Sequence, residues 1–356
     1  MMIERPSYIL YVTDQQRYDH LGCNGHPVLR TPNIDQMASQ GVNYGRFYVA
    51  SPVCMPNRAS LMTCRMPSSH GVRSLGIPLT TDQVTFVELM AAAGYDTALI
   101  GKSHLQTVTD WPVQVAPPVH REGFSAPPEE LAIAIRSDLD TPQYHYERQA
   151  FLQQPNPQVP LPFYGFQDYI SVVRHGFNTG GDHELYLKDK APDVAAARSR
   201  AYQFPHDYSV PQAIRTKVPE EHYSTQFIAD QATAWLEARK GNPKPFLLMV
   251  SFPDPHHPFT PPGKYWDMYK PEDMPVPKAF QVKDWDPPEY VKSAERIRAA
   301  DPKAGQMAGY SIAVSEREAL EARALTCGMI AMVDDAIGQV RQAARDAGVS
   351  DNAVQI

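Results

Sequence analysis

Short apolar runs alternate with longer amphipathic stretches along the chain. Runs rich in β-branched and aromatic residues, typical of buried parallel strands, lie at 7–13, 96–100 and 245–252. Strands are also predicted at 42–49 and, as the start of a further buried strand, at 353–356. Helices are predicted at 31–37, 85–94, 222–240 and 316–347. This alternation predicts an α/β fold in which a mixed, mostly parallel sheet lies between helices.

The stretch 107–221 has the pattern of loops. It is rich in proline and aromatic residues, and a connection of this length is usually a functional insertion. We therefore predict loops that select the substrate. Arg121, Arg174, His175 and His183 are candidate contacts, although no pattern assigns them a role.

The composition is typical of a globular protein with small partners. A net charge of −7 supplies no overall attraction to nucleic acid or to an anionic membrane. No apolar stretch approaches the roughly 20 residues that cross a bilayer, and the chain opens without the pattern of a secretory signal. The four cysteines form no CxxC pair, which suits a reducing compartment. We expect a cytoplasmic protein, and no pattern predicts its oligomeric state.

Polar side chains follow two of the predicted strands. Asp14 and Gln15 come directly after the first strand, and Lys102 and His104 follow the strand at 96–100. Ligands of open α/β sheets bind at the carboxyl ends of the strands. Carboxylate and amide oxygens suit Ca²⁺, Mg²⁺ or Mn²⁺. Taken alone, each group would more often be a turn, a cap or a solvated side chain, and the position of Asp14 relative to Cys54 reverses that preference.

The most informative segment contains a cysteine with restrictive spacing to the residues that follow it. Cys54-x-Pro56-x-Arg58-x-x-Leu61-x-Thr63 resembles the signature of the sulfatase family. Its other interpretation is a small buried cysteine beside a helix that begins near a proline. The five matching positions together favour the family resemblance.

The resemblance implies that the formylglycine-generating enzyme oxidises Cys54 to formylglycine. One hydroxyl of the aldehyde hydrate would attack sulfur, and the other would then expel sulfate by collapse to the aldehyde. Arg58, one turn further along a helix, would hold the hydrate at the helix N-terminus. Asn57 and Cys64 differ from the usual family residues, but they lie outside the Cys-x-Pro-x-Arg core.

The same resemblance implies a divalent metal ion. Asp14, Gln15 and the modified Cys54 would bind it, with Ca²⁺ as the first expectation and Mg²⁺ or Mn²⁺ as alternatives. Lys102 would clamp the sulfate and His104 would hydrogen-bond the nucleophile.

A histidine-bearing loop follows the predicted strand at 245–252. Pro255-His256-His257-Pro258-Phe259 resembles the family loop that supplies a second active-site histidine. His256 aligns best, and it would bind the substrate oxygen or protonate the leaving group. His257 is the alternative.

An acidic pair lies in the longest predicted helix. Asp334 and Asp335 are consecutive, so their side chains point about 100° apart and cannot easily share one ligand. We predict a solvated or capping role for them.

The resemblance implies an alkaline-phosphatase-like catalytic domain over residues 1–356, with 106–221 as a loop-rich insertion. The family's remaining metal ligands follow the strand that starts near Ala353, so these ligands and a C-terminal subdomain are expected to be missing. The predicted activity is hydrolysis of a small sulfate ester. Gln15 leaves open a phosphonate or phosphate ester hydrolase, and a non-catalytic, sulfatase-like anion-binding protein is the third hypothesis.

Overall fold

A single sheet organises the part of the chain that the computed structural model describes. The model describes residues 5–110, 113, 122–123, 125, 139–155, 157–282, 285–301 and 313–356. The strands of the sheet are β1 (Ser7–Val12), β2 (Asp96–Gly101), β3 (Asp168–Val173), β4 (Gly180–Gly181), β5 (Phe246–Ser251) and β6 (Ala353–Gln355). Their order is β4-β3-β2-β5-β1-β6, and every pairing is parallel except that of β3 with β4.

Helices cover both faces of this sheet. They are α1 (Pro32–Gln40), α2 (Cys54–Thr63), α3 (Pro67–His70), α4 (Phe86–Ala92), α5 (Gln149–Leu152), α6 (Asp182–Lys190), α7 (Pro192–Ala197), α8 (Ser224–Glu237), α9 (Lys264–Asp267), α10 (Glu289–Ala300) and α11 (Glu316–Asp346). Among the described residues, no helix is both long and apolar enough to cross a membrane.

The alternation of side chains along the strands produces two hydrophobic layers. Ile9 and Leu248 pack with α8 and α11 on one face of the sheet. Leu247 and Met249 pack with α2 and α4 on the other face. The prediction of a mostly parallel sheet between helices is therefore confirmed.

Most of the predicted elements are confirmed by the structure. The strands predicted at 7–13, 96–100, 245–252 and 353–356 are β1, β2, β5 and β6. The last of them is not buried as predicted, because Val354 is 43% exposed. The helix predicted at 31–37 continues to Gln40 before Gly41 ends it. The capping box of Thr85 and Glu88 forms at the start of α4, because each residue's side chain accepts a hydrogen bond from the other's backbone N–H.

The prediction of a strand at 42–49 is wrong. This segment is irregular and lies on the surface, with Val42, Phe47 and Tyr48 exposed by 75%, 81% and 83%. Its aromatic and β-branched residues resemble those of a strand. However, a strand also needs a neighbour to pair its backbone groups, and no described strand pairs with this segment.

The prediction that 107–221 consists of loops is also wrong in part. β3 lies within this stretch and pairs with β2 in parallel, with Ala98 opposite Asp168. β4 and the helices α5, α6 and α7 lie there as well. Arg121 falls outside the described residues.

The long helix α11 anchors the start of α1 through Asp334. The Asp334 carboxylate is buried and accepts hydrogen bonds from the backbone N–H groups of Asn33 (3.1 Å) and Ile34 (2.8 Å). These two groups belong to the first turn of α1, where N–H groups have no partner within the helix. Among the described residues, Asp335 accepts a hydrogen bond from the hydroxyl of Tyr265 alone, at 2.7 Å. The capping interpretation is thus confirmed for Asp334, which is not solvated.

Asp334→Asn is expected to lower the free energy of unfolding by about 1–3 kcal/mol. The amide can accept one of the two backbone hydrogen bonds, but its NH₂ group then faces the second N–H donor. Asp335→Asn is the matched control and should change this free energy by less than about 0.5 kcal/mol, because its oxygen still accepts the Tyr265 hydroxyl. Urea denaturation of both variants measures the difference, and equal losses would contradict the capping role.

Candidate active site

The carboxyl ends of three adjacent strands place polar residues at one edge of the sheet. The N–H of Lys102, after β2, donates to the carbonyl of Ser251 in β5 at 2.9 Å. The N–H of Asp14, after β1, donates to the carbonyl of Asp254 at 3.1 Å. Gly101 has a φ of +116°, and a Cβ there would lie 1.9 Å from the Ser251 oxygen. Only glycine therefore lets β2 stay against β5 up to Lys102.

Asp14 is the centre of a buried cluster of charges. Its Oδ2 contacts the ammonium of Lys102, lies 3.8 Å from the Arg58 guanidinium and lies 3.5 Å from Nε2 of His175. Burial alone raises the pKa of Asp14, but Lys102, His175 and Arg58 outweigh it and hold that pKa well below its usual value. Two buried cations thus share one carboxylate.

The helix α2 connects Cys54 to this cluster. The Arg58 guanidinium donates to the carbonyl of Lys102 (2.6 Å) and to the hydroxyl of Ser251 (2.9 Å). Cys54 is the first residue of α2, one turn before Arg58, and its thiol is free and partly accessible. The predicted helix after Cys54 is confirmed.

Two histidine rings form one wall of the cluster. His175 and His256 are stacked, with ring centroids 3.6 Å apart and planes 9° apart. Nδ1 of His256 donates to the carbonyl of His257 at 2.5 Å, so Nε2 is the unprotonated atom when the ring is neutral. Burial and the nearby charge of Lys102 lower the pKa of His256 to about 4. The ring of His257 lies 4.2 Å from that of His256.

His104 and Gln15 both adopt left-handed backbone conformations beside the cluster. The φ angles are 53° for His104 and 59° for Gln15, a conformation that costs energy in residues other than glycine. His104 is buried, and its Nδ1 has no hydrogen-bond partner in the described part of the chain. Burial and the charge of Lys102 hold its pKa well below the usual value. Gln15 is exposed.

Comparison with known proteins identifies the family. A family model described as Sulfatase matches residues 6–354. The chain belongs to the sulfatase family. The arylsulfatase of Clostridium perfringens (strain 13 / Type A) is 27% identical over 353 residues, which cover 98% of this chain and 61% of that protein. The multifunctional alkaline phosphatase superfamily protein PehA of Trinickia caryophylli is 26% identical, over 94% of this chain and 59% of its own length.

The fold also resembles that of a solved structure. The crystal structure of the phosphonate monoester hydrolase of Agrobacterium radiobacter matches with a TM-score of 0.68 and 23% sequence identity. The match covers 99% of this chain and 62% of that one. This likeness supports the predicted alkaline-phosphatase-like fold. The sulfatase chain spans less than two thirds of the length of each of these three proteins.

The structure brings most of the predicted site residues of this sulfatase-family chain together. Asp14, Arg58, Lys102 and His256 lie in or against one buried cluster, and His104 follows Lys102 in the same turn. The sequence analysis left His175 without a role. It follows β3 by two residues, as Asp14 follows β1, so recognition of β3 would have identified it.

Two other candidate contacts lie outside this cluster. The Arg174 guanidinium donates to the side chain of Gln149. His183 is buried, with its ring nitrogens bonded to the hydroxyl of Thr179 (2.7 Å) and the carbonyl of His222 (3.0 Å). These contacts give both residues scaffold roles.

The described residues fit a divalent metal only in part. The sulfatase family generally uses a divalent metal ion and a formylglycine, and a hard cation takes about six oxygen ligands. Asp14 and Gln15 are consecutive and both carry oxygen donors, but Asp14 is buried and Gln15 is exposed. No group of three or more His, Cys, Asp or Glu that could hold a metal lies among the described residues. These residues alone do not complete a cation site.

A buried acid supports the loop that carries His256. The Asp254 carboxylate is fully buried and accepts a hydrogen bond from the hydroxyl of Thr225 at 2.7 Å. The hydroxyl of Tyr223 lies 3.5 Å from its other oxygen. Burial raises the pKa of Asp254 from 3.8 to about 7. Because the backbone carbonyl of Asp254 also holds Asp14, this residue connects the histidine loop to β1.

Asp254 should make the stability of the protein depend on pH. Between pH 3.8 and about 7 the folded state keeps a proton on Asp254 that the unfolded chain releases. Protonated Asp254 therefore makes its full contribution to the free energy of unfolding below this window. That contribution is lost as the pH rises through about 7, at up to about 1.4 kcal/mol per pH unit. Asp254→Asn removes the titration, so its stability relative to wild type should increase from pH 5 to pH 8.

Urea denaturation of both proteins with a metal chelator present measures this difference. The same stability difference at pH 5 and pH 8 would show that the Asp254 carboxyl does not titrate in this window.

Proposed function

We propose that this chain hydrolyses small sulfate esters and that Cys54, converted to formylglycine, carries the nucleophile. The observation that supports this most strongly is the pair of buried cations, Lys102 and Arg58, around the single carboxylate of Asp14. A tetrahedral oxyanion bound there would meet fixed positive charge in a site that excludes water. Cys54 starts the helix that carries Arg58, so the nucleophile and one of the cations share a rigid element.

The modified residue would supply two hydroxyls on one carbon, one for attack and one for release of sulfate. Arg58 would orient this group, since its guanidinium is already fixed by the Lys102 carbonyl and the Ser251 hydroxyl. Lys102 would turn from Asp14 toward the sulfate oxygens. The formylglycine-generating enzyme is the partner that this maturation requires.

His256 would move the proton that the leaving group needs. In the free protein the low pKa of His256 keeps the ring neutral, and Nδ1 donates its proton in a hydrogen bond to the His257 carbonyl. Nε2 must therefore first accept a proton and can then return it to the leaving oxygen. His104 would hydrogen-bond the nucleophile through Nε2 or through Nδ1, which has no other partner among the described residues.

Asp14 and Gln15 would bind the divalent ion, with Ca²⁺ as the first choice and Mg²⁺ or Mn²⁺ as alternatives. Lys102, Arg58 and His175 all contact Oδ2 of Asp14. Among the described residues, none donates a hydrogen bond to Oδ1, which leaves that oxygen for a cation.

A phosphonate or phosphate ester hydrolase is the second candidate. The same two cations would stabilise a tetrahedral phosphorus centre. Gln15 beside Asp14 favours this activity, and the fold resembles that of a phosphonate monoester hydrolase. A non-catalytic anion-binding protein is the third hypothesis, and the absence of turnover by modified protein would favour it.

Mass spectrometry of the tryptic peptide 47–58 tests the nucleophile. In protein produced together with the formylglycine-generating enzyme, this peptide should be about 18 Da lighter than the unmodified sequence, as expected when a thiol becomes an aldehyde. Cys54→Ala provides the control and should show neither the mass loss nor turnover. An unmodified Cys54 under these conditions would argue against the proposed nucleophile.

Lys102→Gln is expected to reduce kcat for 4-nitrophenyl sulfate by about 100- to 1,000-fold, the usual cost of losing a charged group that stabilises the transition state. Lys244→Gln is the control. The exposed side chain of Lys244 also pairs with an aspartate, Asp96, which is the first residue of β2. This variant should leave kcat unchanged. A similar loss of kcat in Lys102→Gln and Lys244→Gln would contradict the role of Lys102.

Comparing the turnover of 4-nitrophenyl sulfate with that of a phosphonate monoester in the same assay decides between the first two functions.

A further inference from the structure

The turn that carries Lys102 and His104 has few regular backbone hydrogen bonds of its own. It follows β2 at residues 102–106, and His104 within it has a φ of +53°. A left-handed residue of this kind persists only where its surroundings fix it. The buried N–H groups of such a turn also need acceptors from elsewhere in the molecule.

Glu147 supplies these acceptors. Its Oε1 accepts the N–H of His104 at 2.8 Å, and its Oε2 accepts the N–H of Gln106 at 2.7 Å. The hydroxyl of Tyr169, from β3, lies 3.5 Å from Oε1. Both carboxylate oxygens are thus directed at the two ends of one short peptide segment.

The burial of Glu147 indicates how much the turn depends on it. The side chain is 1% exposed, and no Lys or Arg pairs with it among the described residues. Burial raises its pKa, whereas the hydrogen bonds from the turn lower it, Gln106 and His104 first among them. A buried acid held by backbone N–H groups is costly to leave unpaired, so the turn and the carboxylate fix each other.

We propose that Glu147 is a positioning residue that holds His104 in its left-handed conformation and so sets the geometry of the catalytic turn. This inference rests on the proposed function. Glu147 touches neither the charged cluster nor Cys54 in the described contacts. It acts on the turn through backbone N–H groups and the side chain of Ser103. Arg58 and Ser251 fix Lys102 at the start of the same turn, and Glu147 fixes its second half.

Glu321 offers a closely matched control in the same chain. It is also fully buried, and its Oε2 accepts the backbone N–H groups of Ser209 and Val210, both at 2.8 Å. It lies in α11 and contacts none of the proposed catalytic residues. Glu321→Gln therefore makes the same substitution at a second buried carboxylate, where one amide oxygen can still accept both N–H groups and only the ion pair with Arg317 is lost.

The experiment compares Glu147→Gln and Glu321→Gln in full-length protein that carries the modified Cys54. Glu147→Gln should accelerate amide hydrogen exchange around His104 and Gln106, because one amide oxygen cannot replace both carboxylate oxygens. Glu321→Gln should leave exchange in that turn unchanged. With 4-nitrophenyl sulfate, Glu147→Gln should lower kcat by about 10- to 100-fold with little change in KM, because a small displacement of a catalytic group has a cost of this size. Glu321→Gln should keep the wild-type kcat.

Two results would overturn the positioning role in an active wild-type background. One is unchanged exchange at His104 in Glu147→Gln, and the other is a loss of kcat no larger than that of Glu321→Gln. Wild-type protein that turns over neither sulfate nor phosphonate esters would instead overturn the proposed function, together with this inference. Activity of the wild type is measured first, so the two failures are distinguishable.

Discussion

The site depends on one buried cluster in which two cations face a single carboxylate. Lys102 and Arg58 are almost fully buried, and Asp14 is the carboxylate that they share. Burying a cation is expensive unless an opposite charge or a hydrogen bond compensates for it. Asp14 compensates only in part, so the cluster keeps a positive charge that an anionic ligand would balance. A chain with a net charge of −7 can therefore still present a local attraction for an anion.

The backbone also supports this cluster. Gly101 lets β2 lie against β5 to its last residue, and the Ser251 carbonyl then holds the N–H of Lys102. The carbonyl of Asp254 holds the N–H of Asp14 in the same way. Lys102 and Asp14 thus begin from backbone positions fixed by a neighbouring strand or loop, and Arg58 begins from the helix α2. This pre-organisation is what electrostatic stabilisation of a transition state requires.

The sequence predicted the parts of the site that depend on local pattern. Asp14 and Lys102 could be found because each follows a short apolar strand, and Cys54 because of its restrictive spacing to Arg58. His175 was only a candidate contact without a role, because its strand, β3, lies within a proline-rich stretch that was predicted to consist of loops. The error at 42–49 has the opposite cause, since that segment has strand-like residues but no described partner. Pairing between distant segments cannot be read from local composition.

The geometry of Asp14 would allow the proposed metal ion to bind beside the buried ion pair. If Lys102 occupied both carboxylate oxygens, a cation and the lysine would compete for one ligand, and binding of either would exclude the other. In the structure, Lys102, Arg58 and His175 all approach Oδ2. A carboxylate accepts about four hydrogen bonds or metal contacts across its two oxygens, so Oδ1 can serve a cation while Oδ2 keeps its partners. The low pKa of Asp14 ensures that both oxygens are ionised acceptors at neutral pH, as such a shared role requires.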